Sequence, residues 1–576
     1  MNQKLENILN VSLDATEDEL RKADSLSTGY NWRDNTWEII VKYSGSLESI
    51  RNRYNVYIKE LLNYYAIIVA DKATIELISQ EDVIDYVEKP KSLYYQIERT
   101  KTAACVGSVR ADGNILSGKG VIVGVIDTGI DIYDNAFRNS DGTTRILNIY
   151  DQTTGEKYDK QSIDEYIKLN EDLSGGTFSY DNAPGVDNIM HGTDVSYIAA
   201  GSLGVAYEAD IIAVKMGYSI NNQFPRTTSL MDAIDYVIRK AIEYRKPVAV
   251  NISYGCNYGA HNGNTLLESF IDDISKSYRC VICVGSGNEA DKAIHFGGII
   301  NTGQVQTAYL SVGEYQSAMD IQIWKNYWDT IDVMLINPRG EQIGIITEGK
   351  INRYETYNTE IITLLGEPSP YNIYQEIYIN LIPKTDYILS GIWQIVLMAG
   401  NIRAGEYNIW LPSSQALGYA TAFNNPTADG TITIPATARN CIAVGAYNAY
   451  TNSYVAFSGR GFDNSIRNVN AGVKPDITAP GVDISIARQR GNDIIYRNVT
   501  GTSYAVPVVT GAAALLMQWG IVMGNDRFMY GEKLKAALID GSKPVGLAGI
   551  TGNDNHPDPR TGWGAVCLMN TLNKIL

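Results

Sequence analysis

Four short apolar segments alternate with helical stretches in this 576-residue chain, and this alternation restricts its fold more than any other feature. Each segment is a nearly unbroken run of apolar residues: VIVGVID, ADIIAVKM, KPVAVNIS and CVICVGSG. A strand that is apolar on both faces needs cover on both faces, as in a parallel sheet with helices above and below. Stretches such as SLMDAIDYVIRKAIEY have the helical period. The sequence therefore predicts an α/β domain that begins near Gly118.

A different pattern precedes this domain. Six segments read in turn as strand, helix, strand, strand, helix and strand: WEIIVKY, SLESIRNRY, NVYIKELLN, YYAIIVADK, ATIELISQ and VIDYVEK. This order is that of a split βαβ unit. The unit ends near Pro90, and the polar connector KSLYYQIERTKTAA follows. We therefore predict a separate α+β unit over residues 1–96.

A third pattern interrupts the α/β domain. From about Phe296 to Thr421, short segments alternate apolar and polar residues, and turn sequences such as NPRG and RAGE separate them. This is typical of an all-β sandwich. The α/β pattern then resumes with CIAVGAYN and the small-residue helix SYAVPVVTGAAALLMQWG. We predict an α/β domain in two parts, 97–296 and 423–576, with an all-β insertion over 297–422.

Charge and cysteine content exclude several classes of function. The net charge of −16 argues against binding to nucleic acid or to an anionic membrane. We find no apolar run of eighteen residues and no classical signal peptide, so neither a membrane span nor this export route is expected. Six cysteines are too few for a disulfide scaffold. Cys280 and Cys283 should point to opposite faces of one strand, which opposes a metal or redox role, and the other four cysteines are isolated in the sequence.

Three motifs carry residues suited to nucleophilic catalysis. Asp127 in VIDTGID follows a predicted strand, while His191 in HGTDVSYIAAG and Ser503 in TGTSYAVP begin predicted helices. A serine nucleophile needs an imidazole as base and a carboxylate that orients the imidazole. Each residue alone has a simpler interpretation: a turn aspartate, a structural histidine and a helix-capping serine. Their joint occurrence at sheet-edge positions favours a catalytic triad.

These motifs resemble those of the subtilisin-like serine peptidases, in the same chain order. The resemblance extends from Gly118 to the RTGWGAV segment and includes GKGVIVGVIDTGID, HGT, AVNISYG, VGSGNEA, KPDITAPG and GTSYAVPVVTGAAAL. It implies a subtilisin-like parallel sheet with helices on both faces. It further implies that Asp127 orients the base, His191 is the general base and Ser503 is the nucleophile. Asn288 would supply the oxyanion-hole amide, although outside this context it is a simple polar turn residue.

The resemblance also implies where a peptide binds and how this chain departs from the family. Two segments would bind an extended peptide and wall its first specificity pocket: Ser253, Tyr254 and Gly255 in the first, and Gly285, Ser286 and Gly287 in the second. The family's usual second histidine, as in HGTH, is replaced by Asp194, and Tyr504 follows the nucleophile where a methionine is usual. We expect no cofactor and no metal from the motifs.

The domain order resembles that of the clostridial spore germination proteases of the Csp type. That resemblance implies that the N-terminal unit is a prodomain, that the insertion is jelly-roll-like and that the cleaved prodomain stays bound. In such enzymes the position four residues upstream of the cut is commonly apolar. Leu93 in that position places the autoprocessing site after Gln96. A cut after Tyr95 is the next candidate.

The leading hypothesis is a serine endopeptidase that processes its own prodomain and then carries out limited proteolysis, for example of a zymogen during spore germination. Its partners would be a peptide or protein substrate and its own prodomain. The expected location is the bacterial cytoplasm or the spore, with non-classical export left open. A scaffold or receptor with a blocked groove is the first alternative, and a general peptide-degrading protease of an anaerobic bacterium is the second. The insertion would rigidify the enzyme or hold the prodomain, with carbohydrate binding as the alternative.

Overall fold

A computed structural model gives the structure of the chain as two compact units, Met1–Tyr95 and Gln96–Leu576. The structure describes residues 4–17, 29–61, 64–89, 114–172, 183–217, 225–346, 351–367, 372–462, 472–490, 493–546 and 557–576, together with residues 20, 27, 101, 103–106 and 110–111.

From Thr36 onward, the N-terminal unit has the predicted β-α-β-β-α-β order, and an unpredicted helix and two-residue strand precede it. Its strands are β1 (Tyr30–Asn31), β2 (Thr36–Tyr43), β3 (Tyr57–Leu61), β4 (Tyr65–Ala70) and β5 (Ile84–Glu88). Its helices are Asn7–Asp14, Glu48–Tyr54 and Lys72–Gln80. Strand β2 lies between β4 and β5, β3 pairs with β4, and every pair is antiparallel. Alternate residues of β2 and β4 are buried, as a sheet with one covered face requires.

The first helix of this unit was not predicted from the sequence. Leu5, Leu9 and Leu13 are all buried in the core of the unit, and Leu9 and Leu13 lie on the helix Asn7–Asp14. Their spacing of four residues places them on one face of a helix. This periodicity was the available signal, and the polar residues around it obscured it.

The larger unit is built on the predicted parallel sheet. Its strands are β8 (Ile122–Asp127), β9 (Ile146–Asp151), β10 (Glu156–Asp159), β11 (Asp210–Lys215), β12 (Val248–Ile252), β13 (Cys280–Gly285), β25 (Ile442–Asn448), β26 (Ser453–Tyr454) and β27 (Ile477–Pro480). In the described residues their order across the sheet is β10-β9-β11-β8-β12-β13-β25-β26, and β27 also pairs with β25. The pairs made by β10 and β26 are antiparallel and the others are parallel. All residues of β8, β12 and β13 are buried, because each face of the sheet carries its own hydrophobic core.

The helices of the larger unit cover both faces of the sheet. Their bounds are Lys160–Asp172, His191–Ala200, Thr227–Glu243, Leu266–Ser277, Thr502–Met517, Gly531–Asp540 and Leu568–Ile575, with 3₁₀ turns at Asn135–Phe137 and Ser414–Ala416 and a π turn at Gln518–Val522. We call His191–Ala200 the histidine helix and Thr502–Met517 the serine helix. The serine helix packs against the histidine helix and against β12 and β13. The segment Thr502–Val522 is long and apolar enough to cross a membrane, but 89% of its apolar window is buried inside the protein.

Two antiparallel sheets lie between His295 and Phe423. Their strands are β14 (His295–Ile299), β15 (Val305–Val312), β16 (Met319–Asn326), β17 (Ile331–Ile336), β18 (Gln342–Ile343), β19 (Ile351–Glu355), β20 (Thr359–Leu365), β21 (Tyr374–Pro383), β22 (Gly391–Ala399), β23 (Glu406–Trp410) and β24 (Ala422–Phe423). In the described residues one sheet has the order β14-β23-β16-β21-β20-β19 and the other β18-β17-β22-β15-β24. A shared apolar core contains inward residues of both sheets. The jelly-roll connectivity and the domain bounds, including 297–422, stay predictions.

The described part of the larger unit also contains two antiparallel strand pairs. The first joins β6 (Arg110–Ala111) to β7 (Asn114–Ile115), and the second joins β28 (Ile484–Arg490) to β29 (Asp493–Val499). The second hairpin leads directly into the serine helix. It therefore carries the chain from the sheet to the predicted nucleophile.

The cysteines differ from expectation at one pair. Cys105 and Cys567 form a disulfide although 462 residues separate them in the sequence, so the view of these two as isolated was wrong. Cys567 immediately precedes the last helix, whereas Cys105 lies near the start of the larger unit. Cys280 and Cys283 are free, and they contribute to the cores on opposite faces of the sheet. Burial raises the pKa of each of these two thiols to about 12, which leaves them protonated and inert.

Candidate active site

The sheet places Asp127 and His191 in direct contact. Asp127 is the last residue of β8 and is 1% exposed, and His191 is the first residue of the histidine helix. The Nδ1 atom of His191 lies 2.6 Å from Oδ1 of Asp127, which also accepts the backbone N–H of Thr128 at 2.8 Å. A carboxylate at Nδ1 holds the proton there and leaves Nε2 to act as a base. The histidine side chain is 25% exposed and so accessible to a substrate.

Asp187 fixes the start of the histidine helix. This role was not predicted from the sequence. Its carboxylate is fully buried and accepts the backbone N–H groups of Met190 and Thr193, both at 2.8 Å. It also accepts the Thr128 hydroxyl at 2.8 Å, and the same hydroxyl oxygen accepts the backbone N–H of Gly192 at 2.9 Å. Asp187 therefore ties the residue after Asp127 to the helix that carries His191. An aspartate shortly before a helix start was the available sequence signal.

The charges around His191 favour its protonated form. Burial opposes protonation, but Asp127, Asp187 and Asp194 together raise the pKa of the imidazole above its ordinary value. An imidazolium that is stabilised in this way suits a base that must hold a proton during the reaction.

Ser503 lies between two residues that contact the other predicted groups. Thr502 donates its backbone N–H and its hydroxyl to Oδ1 of Asn288, both at 3.0 Å. On the other side, the ring of Tyr504 lies 5.3 Å from the His191 ring, between centroids. Ser503 itself is partly exposed as the second residue of the serine helix. The structure thus brings Asp127, His191, Asn288 and Ser503 to one place, and because Thr502 occupies the amide oxygen of Asn288, its NH₂ end remains as a donor.

The two predicted peptide-binding segments meet at Thr433. This residue was not predicted from the sequence. An added Cβ at Gly255 would fall 2.8 Å from Cβ of Thr433, and one at Gly287 would fall 2.7 Å from its hydroxyl oxygen. Thr433 is 5% exposed, and its backbone N–H donates to the carbonyl of Ser286 at 3.0 Å. Only glycine allows such an approach on both sides. The first segment also reaches the nucleophile, because the Ser253 hydroxyl donates to the carbonyl of Ser503 at 3.3 Å.

Asp194, which replaces the family's second histidine, pairs with the hairpin before the serine helix. Its carboxylate is fully buried, with Oδ1 3.5 Å from Nε of Arg488 on β28 and Oδ2 3.2 Å from Nη1 of Arg497 on β29. Burial raises its pKa from 3.8 to about 6, and the two arginines only partly offset this. At the place of the family's second histidine, this chain therefore has a buried ion cluster that joins the histidine helix to this hairpin.

The predicted processing site cannot be placed with the others. Gln96, Tyr95 and Leu93 all lie outside the residues that the structure describes. Among the residues it does describe, no three His, Cys, Asp or Glu side chains form a group that could hold a metal ion.

Comparison with known proteins gives the family. The family model described as "Csp protease B prodomain" matches residues 3–91, and the subtilase family model matches residues 118–372 and 390–564. The solved structure of the Clostridium perfringens CspB protease is 34% identical, with a TM-score of 0.75, and the match covers 83% of this chain and 97% of that one.

Two curated proteins from fungi share shorter stretches. The subtilase-type proteinase RRT12 of Saccharomyces cerevisiae is 31% identical over 128 residues, and the subtilisin-like protease 10 of Arthroderma otae is 34% identical over 118 residues. These alignments cover 22% and 20% of this chain, and they span only 23% and 26% of the two relatives. The subtilase model alone, however, covers more than half of the chain. The resemblance seen in the sequence is confirmed: this chain belongs to the subtilase family of serine proteases and carries a prodomain of the Csp protease B type.

Proposed function

We propose that the protein is a serine endopeptidase in which Asp127, His191 and Ser503 form the triad and Asn288 donates to the oxyanion. The observation that carries the proposal is the position of Ser503, whose two chain neighbours contact Asn288 on one side and His191 on the other. The 2.6 Å contact between His191 and Asp127 supports the same assignment.

In the first half of the reaction, the hydroxyl oxygen of Ser503 attacks the carbonyl carbon of the scissile peptide bond while Nε2 of His191 takes the hydroxyl proton. Asp127 holds the Nδ1–H and stabilises the imidazolium that forms. The backbone N–H of Ser503 and the amide of Asn288 donate to the oxyanion. The C–N bond then breaks, and His191 gives its proton to the leaving amine, which yields an acyl-enzyme.

In the second half, water replaces the amine. His191 takes a proton from the water, whose oxygen attacks the acyl carbon, and the bond to Ser503 breaks as the serine oxygen recovers that proton. The products are two peptides, and the enzyme returns to its starting state. A fully buried Asp127 suits this cycle, because water does not weaken its hold on the imidazole.

The role that we propose is limited proteolysis, beginning with the protein's own prodomain and continuing with a zymogen during spore germination. The support is the 97% coverage of the Clostridium perfringens CspB protease together with the match of the N-terminal unit to a Csp prodomain. The cut after Gln96 and the retention of the prodomain belong to this proposal.

The insertion is proposed to stiffen the enzyme near the oxyanion site. Ser414, in the turn after β23, donates its backbone N–H and its hydroxyl to the carboxylate of Glu289, both at 3.1 Å. Glu289 directly follows Asn288 and is 7% exposed. In a second contact, Gln322 of β16 accepts the backbone N–H of Gly259 at 2.8 Å. Limited proteolysis that removes residues 297–422 and leaves an active remainder would exclude this role, and glycan binding by the insertion would favour the carbohydrate alternative.

Labelling with a fluorophosphonate tests the enzymatic function directly. The reagent should attach to Ser503 of the wild-type protein at neutral pH, and peptide mapping by mass spectrometry would locate it. Ser503→Ala should fold normally, as judged by circular dichroism, and should neither be labelled nor cleave peptides. Absence of labelling in a folded wild-type protein whose groove is free of prodomain would instead support the scaffold or receptor function.

A further inference from the structure

A cavity in the larger unit is lined by none of the proposed catalytic residues. Its volume is about 620 Å³, within the range of sites that hold small organic molecules. Its lining comes from several parts of the fold, among them Tyr374 of β21, Lys535 of the helix Gly531–Asp540 and Trp563 near the C-terminus.

Two lysines share one carboxylate in the wall of this cavity. Asp476 accepts Nζ of Lys535 at 2.7 Å through Oδ1 and Nζ of Lys474 at 2.8 Å through Oδ2. Its Oδ2 atom also accepts the backbone N–H of Ala443 at 2.7 Å. The three charged side chains are only 5–13% exposed. The cluster therefore carries one positive charge more than it can balance itself, in a place where water screens little.

The effect of Lys474 on Lys535 agrees with this excess charge, although Asp476 raises the pKa of Lys474 itself. Burial lowers the pKa of Lys535, Asp476 opposes that effect, and the positive charge of Lys474 lowers it further. An anion bound beside the pair would relieve this repulsion, since an opposite charge nearby favours the protonated lysine.

The rest of the lining strengthens the positive potential and adds apolar surface. Four basic and two acidic side chains line the cavity, although the whole chain has a net charge of −16. Arg439 is exposed, with a contact of 3.4 Å to Asn264, while Arg460 is partly exposed and donates to the Tyr454 hydroxyl at 2.9 Å. An arginine has five N–H donors, so a guanidinium with so few contacts can still bind an anion. The apolar and aromatic lining is formed by Ile373, Tyr374, Ile432, Phe462, Ile539 and Trp563.

We propose that this cavity binds a small organic monoanion, a carboxylate on an apolar body. The ammonium of Lys535 already donates to Asp476 and to the backbone carbonyls of Arg439 and Cys441, so the lysine pair supplies positive charge and no free donor. Arg439 or Arg460 would bind the carboxylate by hydrogen bonds beside this charge, and the apolar body would lie against Trp563 and its neighbours. One excess charge on the lysine cluster selects a monoanion, and a basic cavity in an acidic protein selects against cations. This site is independent of the proposed function, because it involves none of the triad residues.

Isothermal titration calorimetry with 4-phenylbutyrate tests the proposal on the full-length Ser503→Ala protein, which cannot digest itself. We expect saturable binding that weakens as salt is added. The cationic analogue 4-phenylbutylamine should not bind, and acetate, which lacks the apolar body, should bind at least about tenfold more weakly. No saturable binding of 4-phenylbutyrate, or equal binding of the amine, would overturn the proposal.

Two lysines of one helix provide a matched pair of variants. Lys535→Met leaves Lys474 balanced by Asp476 and should weaken 4-phenylbutyrate binding about tenfold or more. Lys533→Met removes an exposed lysine that pairs with Asp526 outside the cavity, and binding should be unchanged. If Lys535→Met fails to fold, Arg439→Met at the exposed edge replaces it, with at least a threefold loss expected. Equal affinity in Lys533→Met and in the folded cavity variant would reject the site.

Discussion

Asn288 shows how a single side chain can have two roles beside the nucleophile. Its amide oxygen accepts both donors of Thr502, so its NH₂ group is directed away from the start of the serine helix. The residue thus holds Ser503 in place through one end and remains a donor at the other.

Asn288→Ala should lower kcat by about 10²–10³ with little change in KM, because the bond to the oxyanion strengthens in the transition state. That is the size of loss that removal of the corresponding amide causes in subtilisin. Thr502→Val is the control, since it keeps Asn288 and the backbone N–H but removes one of the two contacts to Oδ1. Steady-state kinetics on a peptide substrate should show a loss below about tenfold for this control. A change in KM alone for Asn288→Ala would remove Asn288 from the oxyanion hole.

Thr433 determines how much room lies between the two predicted peptide-binding segments. Because its side chain fills the space between Gly255 and Gly287, we expect small or unbranched side chains to be preferred before the scissile bond. Thr433→Ala should raise kcat/KM for phenylalanine relative to alanine at that position by about tenfold, since one or two methyl-sized groups are worth about 1–3 kcal/mol. Thr431→Ala, a buried change in the same segment, should leave the ratio unaltered. An equal ratio in wild type and Thr433→Ala would show that the pocket lies elsewhere.

At the scale of elements, the histidine helix and the hairpin β28–β29 are joined through Asp194. The pKa of this carboxyl is about 6 in the folded protein against an ordinary 3.8, so the folded chain holds the proton more tightly than the unfolded chain does. Stability from this group is therefore present at low pH and is lost as pH rises from about 4 to 6. The difference in pKa corresponds to about 3 kcal/mol at most.

Asp194→Asn should remove this pH dependence. We expect the difference in melting temperature, Asp194→Asn minus wild type, to increase from pH 4 to pH 7. Calorimetry on both proteins in the Ser503→Ala background would measure this difference. A constant difference across that range would mean that Asp194 is not held at a raised pKa. In an active background, the loss of this charge should also lower the pKa of His191 and move the acid limb of kcat/KM to lower pH.

The elements that sequence predicted well are those defined by local pattern. Strands such as β8 and β13 are nearly unbroken apolar runs. Asp127 is the last residue of β8, and His191 and Ser503 lie at the starts of two helices. The features that sequence missed depend on contacts between distant residues. The position of Thr433 between two glycines, the pairing of Asp194 with Arg488, and the bond from Cys105 to Cys567 all need the three-dimensional arrangement of the sheet.

For the whole molecule, the disulfide links the beginning and the end of the larger unit. Cys105 lies only nine residues after Gln96 in the sequence, and Cys567 immediately precedes the last helix. A cut after Gln96 would therefore create a new N-terminus close to a residue that the disulfide holds. In addition, the backbone carbonyl of Ala103 accepts Nζ of Lys543 at 2.6 Å. The larger unit thus retains this segment whether or not the connector before it has been cut.

Self-cleavage of the connector depends on the whole chain. The tether between the prodomain and the enzyme gives the connector a high effective concentration at its own active site, which favours intramolecular attack. Purified wild-type protein should therefore contain two chains that elute together, and mass spectrometry should find a new N-terminus between Tyr95 and Ala103. The pattern should be the same with and without reductant, because Cys105 and Cys567 both lie on the larger fragment. Ser503→Ala should remain a single chain, and cleavage of that variant when purified alone would show that the cut is not autocatalytic.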